Sequence, residues 1–529
     1  MNSTPRFALT GLAALAAATT LAACSGGGAA PDATGEYADG AAFTMSLSGD
    51  PGSLDPQLSA TGTLFQLTKF AYDPLVSIDL DGEIGSQLAT DWVVDGTTAT
   101  LTIADDITCS DGSAFTAQTA VDNLAFLSDP ENASPYLGSF LPPGITAEAD
   151  GDTLTLTLAA PAPFLMHGLA NVPMVCEAGL ADRSSLVTAT NGTGPYVLDE
   201  AVANDHFAYS LREDYAWGPG GLAGDEPGLP ATVTARIVPN ETTAANLLLS
   251  GEINAAQVVG PDAERLEAAN LFQRSTPLVL GEQWYNEAEG RPTSDPAVRM
   301  ALTQALDLAE LRKVVTSGKD LPATSLTAVE PAACTFDSVT DNLPQFDVAA
   351  AEQALDDAGW VAGADGVRAK DGVPLAVTFV HDTVLGTPGA SAAELAVEAW
   401  QELGVQVDAQ AQDSTAIAGV MFGTGAWDIM WEPVNVNTPS QMVGFLSGPG
   451  VPGGTNFASI QNADYEAAVA EAMQLPGAEG CQLWAEAEAA LVRDADVVPF
   501  ANNALNYFGS GAEFSLLGNI APTSIRMLG

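Results

Sequence analysis

Residues 232–259 read TVTARIVPN, ETTAANLLLS, GEINAAQVV, and their order decides the fold. Thr232 to Val238 is rich in β-branched residues and stops at Pro239, the pattern of a strand. Asn240 is suited to cap a helix carried by Ala244, Leu247 and Leu248, and Gly251 can close it in the left-handed conformation. Ala255 to Val259 then reads as the next strand. Strand, helix and strand in this order form a βαβ unit, which implies parallel pairing and a right-handed crossover.

A second unit of the same kind follows in the C-terminal half. Leu375, Val377 and Phe379 alternate along a strand ending near Val380. Ala392, Leu395, Ala396, Ala399, Trp400 and Leu403 then fall on one apolar helical face. Gly404 ends that helix, Val405 and Val407 open another strand, and Trp427 to Trp431 gives one more. Two separate α/β units predict two lobes with a cleft between them, the ligand lying at the carboxyl ends of strands. Before the first unit, Thr98 to Ile103 and Thr153 to Leu158 alternate Thr with Leu, Ala or Ile, as half-buried antiparallel strands do. A β-rich subdomain inserted in the first lobe is therefore expected, over about residues 91–190.

The amino terminus reads as an export signal. A single positive charge in Met1 to Arg6 precedes an apolar run from Phe7 to Leu21, shorter than the ~20 residues that cross a bilayer. Leu21-Ala22-Ala23-Cys24 looks like a bacterial lipobox, with Cys24 the expected site of lipidation after removal of residues 1–23. Residues 24–40, rich in Gly, Ala, Asp and Pro, are expected to form a flexible tether. An ordinary secretory signal with an incidental cysteine is the alternative.

The 529 residues include 67 Asp and Glu against 16 Lys and Arg, a formal net charge of −51. Such a surface repels phosphate backbones, so nucleic acid is not an expected partner. Cys109, Cys176, Cys334 and Cys481 are an even set suited to an oxidising compartment, and they allow three pairings. The arrangement that keeps each bridge inside one lobe, Cys109–Cys176 with Cys334–Cys481, is the expected one. There is no Cys-x-x-Cys, and His167, His206 and His381 are far apart, so neither a structural metal nor a cofactor is expected.

Several motifs occur in a recognisable order: Leu54-Asp55-Pro56, Tyr72-Asp73-Pro74-Leu75-Val76, Cys109-Ser110-Asp111-Gly112-Ser113 and Gly192-Thr193-Gly194-Pro195-Tyr196. Leu211 to Trp217, Leu249 to Ala255, Asp295 to Leu302 with Ala305-Leu306-Asp307, Ala358-Gly359-Trp360 and Leu403-Gly404-Val405 follow. In this series the chain resembles the peptide/nickel-type (family 5) extracellular solute-binding proteins of ABC importers. The resemblance implies an α/β, periplasmic-binding-protein-like type II bilobal fold. Lobe I would comprise residues 41–283 and 500–529, and lobe II residues 284–499, with hinge strands near Glu282–Asn286 and Val498–Asn503. It also implies a monomer held at the outer face of the cell membrane by its lipid alone. There it would close on a small peptide or peptide-like solute and deliver it to ABC permease subunits.

Ligand contacts in the resembling family come from two stretches. The first maps onto Thr61 to Gln66, which offers Thr61, Thr63 and Phe65. The second maps onto Trp431 to Pro439, which offers Trp431, Glu432, Asn435, Asn437 and Thr438. Peptide binders place an Asp before the matching proline, and Thr438 stands there instead; Glu432 could supply a carboxylate. From Asp371 to Val492 there is no Lys or Arg, so lobe II is poorly equipped to seat an anion. These departures keep a neutral oligosaccharide or other non-peptide solute as the alternative, with a metal chelate behind it, and a sensor or adhesin on the same fold as another. An exported hydrolase finds no support: neither a Gly-x-Ser-x-Gly elbow nor a His-Glu-x-x-His helix occurs, and an enzyme is not expected.

Overall fold

The computed structural model describes residues 36–59 and 61–529. The signal segment, Cys24 and the tether as far as residue 35 lie outside the described residues. Tyr37, Ala38 and Asp39, which the sequence places in the tether, are already docked. Ala38 N–H donates to Met527 O, and Asp39 Oδ1 accepts from Gly228 N–H.

Strand β1 (Ala42–Leu47) leads to helix α1 (Gly62–Ala71). Strands β2 (Ala89–Asp95), β3 (Thr98–Ile103), β4 (Thr146–Asp150) and β5 (Thr153–Thr157) make a separate four-stranded antiparallel sheet in the order β2-β3-β5-β4. Leu101, Leu154 and Leu156 are buried from one face of it, where helix α2 (Ala117–Ser128) packs. This is the expected inserted subdomain.

Strands β6 (Tyr196–Val202), β7 (His206–Leu211) and β8 (Thr232–Ile237) come next, then helix α3 (Glu241–Ser250) and strand β9 (Ala255–Gln257). Asn240 caps α3 by accepting from Thr243 N–H, and Gly251 takes φ 74°, as their positions predict. The two strands of this unit are indeed parallel in sense, but they do not touch. Each pairs with β1, which lies between them.

The long strand β10 (Phe272–Tyr285) is followed by helix α4 (Pro296–Gln304), strand β11 (Ala376–Asp382), helix α5 (Gly386–Glu402) and strand β12 (Gln406–Gln412). Strand β13 (Ile429–Trp431), helix α6 (Pro439–Leu446), helix α7 (Cys481–Arg493) and strand β14 (Val497–Gly509) complete the frame. One ten-stranded sheet runs through the molecule in the order β12-β11-β13-β10-β14-β9-β1-β8-β7-β6. The fold is bilobal α/β, and β10 and β14 are the antiparallel pair that carries the sheet from one half to the other. On α5 the buried stripe is Ala392, Ala393, Ala396 and Trp400; Leu395, expected within it, is exposed because the stripe is narrower than the sequence implied.

The sequence motifs converge on one buried carboxylate. Asp73 accepts hydrogen bonds from Gln87 Nε2 (2.6 Å), Thr193 Oγ1 (3.0 Å), Tyr215 Oη and Trp217 Nε1 (3.1 Å each). Burial nevertheless outweighs these donors and pushes its pKa up to about 6. A Cβ on Gly194 would lie 2.4 Å from the carbonyl carbon of Ala71, so only glycine lets this loop pass the end of α1. These residues are framework, as expected of fold markers. Both expected disulfides are present, Cys109–Cys176 with Cα atoms 6.2 Å apart and Cys334–Cys481 with Cα atoms 5.5 Å apart.

Candidate functional site

Where β10 and β14 pass between the halves, their pairing is irregular. Val279 pairs with Asn502 and Gly281 with Ala501, so Leu280 is left over as a bulge. Gly281 is required there, since a Cβ would lie 2.5 Å from the Phe500 ring. On the other edge of β10, β13 pairs only with Gln283 to Tyr285. Beyond it the chain leaves the ladder, and Asn435 takes over through its side chain.

A cavity of about 240 Å³ opens beside this crossing and is lined from both halves. Helix α1 and the residue after it supply Phe65, Lys69 and Tyr72, spaced to share one helical face. Tyr136 and Phe140 from the inserted subdomain continue the aromatic wall, with ring centroids 6.1 Å (Phe65–Tyr136) and 5.6 Å (Tyr136–Phe140) apart. Tyr136 is buried, and its hydroxyl finds no partner among the described residues. The opposite wall is Val329, Glu330, Asn435, Asn437 and Gln441, and Asn171 and Asn519 add amides. Such a surface, aromatic with a few placed polar groups and one charge of each sign, suits a small organic solute.

A wider cavity of about 620 Å³ lies at the carboxyl ends of the parallel strands β1, β8 and β9, against the start of α1. It shares Gly518 and Asn519 with the first. Thr61 and Thr63 line this second space, and Thr61 also caps α1. Of the first expected stretch, Phe65 alone faces the smaller cavity.

The second stretch is divided. Trp431 is fully buried between Phe379 and Phe500, centroids 5.1 and 5.0 Å away, and its Nε1 donates to Gln283 Oε1 at 2.9 Å. It lines none of the cavities described here. Trp284 and Trp427 are likewise core. Asn435 lines the smaller cavity, but its amide is taken up by Val279. Asn437 lines the same cavity, while its main chain is held by Gln441 and Ala333. Thr438 is buried at the start of α6, where Gln441 Oε1 accepts from its N–H, and it lines a neighbouring cavity shared with Ser440.

Glu432 belongs to a different arrangement. Gln412, Asp382 and Glu432 stand at the carboxyl ends of β12, β11 and β13, with Glu282 next on β10. Burial raises Glu432 to about 8, reinforced by the neighbouring Asp382 carboxylate, and burial raises Glu282 to about 8 as well. Val434 N–H donates to Glu282 Oε2 at 2.7 Å, and Glu282 Oε1 has no partner. Among the described residues no group of three or more His, Cys, Asp or Glu could hold a metal, and no helix is long and apolar enough to cross a membrane.

Lys69, Tyr72, Tyr136, Phe140 and Glu330 escaped the sequence reading of the site. Only the first two carried a signal, being on the helical face that Phe65 begins.

Comparison with known proteins agrees with this architecture. The family model of bacterial extracellular solute-binding proteins, family 5 (middle), matches residues 83–453. The nickel-binding periplasmic protein of Escherichia coli (strain K12) is 26% identical over 389 residues, 69% of this chain and 70% of that protein. The glutathione-binding protein GsiB of the same strain is 29% identical over 321 residues, 59% of this chain and 60% of that protein, which is less than two thirds of its length. The crystal structure of a substrate-binding protein from Microbacterium hydrocarbonoxydans, complexed with 4-hydroxybenzoate hydrazide, superposes with a TM-score of 0.67. It is 26% identical, and the match covers 92% of this chain and 100% of that one.

Proposed function

Because the chain belongs to the bacterial extracellular solute-binding proteins of family 5, we propose that it captures a small peptide or peptide-like solute between its lobes and delivers it to an ABC importer permease. One observation carries this reading: a single cavity takes its walls from α1 on one side and from residues 435–441 on the other, next to the strands that join the halves. A solute there touches both halves at once, so its affinity belongs to the closed arrangement. We divide the lobes as residues 41–283 with 500–529, and 284–499.

Export, lipidation at Cys24, attachment to the outer face of the membrane and action as a non-catalytic monomer are parts of the same proposal. A second reading, a neutral solute such as an oligosaccharide, is favoured by the amides of Asn171, Asn437, Gln441 and Asn519 around the aromatic wall.

Native mass spectrometry of protein purified from its own host, followed by thermal melts with peptides, oligosaccharides and metal chelates, tests both. A true ligand at 100 times its dissociation constant adds about 2.7 kcal/mol to stability. No retained solute and no stabilised melt would remove the proposal. Loss of acyl labelling in Cys24→Ala tests the anchor separately.

A further inference from the structure

Lys69, Arg236 and Arg274 are half-buried cations without a carboxylate partner among the described residues, and of the three Lys69 alone lines a cavity described here. Most of the arginines are ion-paired, among them Arg183 with Asp55, Arg299 with Asp496 and Arg368 with Asp356. In a protein with 67 acidic residues, a cation without a carboxylate partner needs a reason. Among the described residues Lys69 makes no ion pair, although it is half-buried on α1. It lines the smaller cavity and a further one beside Tyr72 and Pro74, and no other Lys or Arg lines the three cavities described above.

A half-buried ammonium group left without a counter-charge is costly, and desolvation holds it at about 8. Its surroundings in the smaller cavity are Phe65, Tyr136 and Phe140, whose rings offer area but no charge. The hydroxyl of Tyr136 is a second buried polar group on that wall without a partner. Glu330 on the facing wall is not ion-paired to Lys69. An unpaired ammonium group beside an aromatic surface describes the complement of an anionic group on an apolar body.

We infer that Lys69 seats a carboxylate of the solute, with the solute's apolar or aromatic part against Phe65, Tyr136 and Phe140. This deepens the solute-binding reading and rests on it. The anchor comes from the first lobe, which explains how a second lobe with no Lys or Arg from Asp371 to Val492 can serve a carboxylate-bearing ligand. The same chemistry could be presented by a peptide C-terminus or by a free aryl carboxylic acid.

Calorimetric titration of the mature protein separates these cases, using Ala-Phe, Ala-Phe amide, 3-phenylpropionate, 3-phenylpropionamide and maltotriose as probes. Ala-Phe or 3-phenylpropionate is expected to bind, and the one that does identifies the source of the carboxylate. If Ala-Phe binds, its amide should bind at least ~10-fold more weakly; if 3-phenylpropionate binds, its amide should show the same loss. Lys69→Met should erase the difference between acid and amide while melting no earlier than the parent. Lys69→Arg should keep that difference. Affinity for the acid should also fall above about pH 8 in the parent and not in Lys69→Arg.

An acid-to-amide ratio unchanged by Lys69→Met overturns the inference. So does binding of maltotriose with neither acid bound, an outcome that leaves the solute-binding reading standing, and so does failure of every probe. Phe140→Ala is the separate control. It should weaken acid and amide alike, and if it alters neither, the cavity is not the binding place and the wider reading fails too.

Discussion

The side chain of Asn435 holds both main-chain groups of Val279: its Oδ1 accepts from the Val279 N–H at 2.8 Å, and its Nδ2 donates to the Val279 carbonyl at 3.1 Å. A carboxamide thus does for β10 what a neighbouring strand does elsewhere, one residue before the bulge at Leu280. Residues 156 apart are clamped at the crossing between the halves.

Asn435→Ala should therefore act on stability rather than on chemistry. It strands a half-buried N–H and C=O together, and each costs about 1–3 kcal/mol when left unmet. A urea melt should show a loss of about 2–4 kcal/mol with little change in slope. A variant as stable as the parent would mean that water or a neighbour replaces the amide at no cost.

Acidity enters through the buried carboxyl groups. Glu282 is raised from 4.5 to about 8, chiefly by burial, so the native chain keeps a proton that the unfolded chain releases. The stabilisation from this group is complete below about pH 4.5 and is lost as pH rises through about 8. Stability should decline across that window. Glu282→Gln should flatten the decline and gain about 1–3 kcal/mol at pH 8 relative to the parent. Parallel pH profiles for parent and variant would contradict the assignment.

Much of the frame was legible because its signals are local. Asn240, Gly251 and the Asp295-Pro296 pair mark helix ends by capping chemistry that needs no distant partner. The order of β8 and β9 around β1 was not legible, because a βαβ pattern fixes sense and not adjacency. Trp431 was misleading as a cleft candidate for a related reason: β13 lies inside the sheet and is buried on both faces, so alternation cannot say which side chain meets a ligand. Tyr136 and Glu330 sit in irregular segments and reach the cavity through tertiary packing alone. Lys69 was readable in principle, three to four residues from Phe65 and Tyr72 on one helical face.

The Cys334–Cys481 bridge ties the irregular segment that carries Val329 and Glu330 to the first residue of α7. Its loop spans 147 residues, and its loss should cost about 2–4 kcal/mol, with the entropic share depending on the model. The Cys334→Ser/Cys481→Ser double variant should melt earlier and also bind solute more weakly, since one cavity wall loses its tether. The Cys109–Cys176 bridge, which does not hold the segment of Val329 and Glu330, should lower the melt when removed and weaken solute binding less. Equal effects on affinity would break this distinction.

The inserted subdomain does more than enlarge the first half, for it meets the other half directly. Phe164 joins the core beneath Trp484, ring centroids 6.0 Å apart, and Pro163 O accepts from Gly477 N–H at 2.9 Å. Gln441 Nε2 donates to Ser139 O at 3.0 Å across the same boundary. The aromatic contact is buried and the amide contact exposed, so they should differ in weight. Phe164→Ala should cost about 3–5 kcal/mol if docking persists throughout the native state. If the halves open in the ligand-free protein, the cost is smaller and appears instead as a larger radius of gyration in solution scattering. Gln441→Ala gives up that contact together with the bonds its Oε1 accepts from the Asn437 and Thr438 N–H groups, and should cost about 1–2 kcal/mol, most of it from the lost cap of α6. A Phe164→Ala protein with the parent's melt and the parent's scattering curve would show that this contact contributes nothing to holding the halves together.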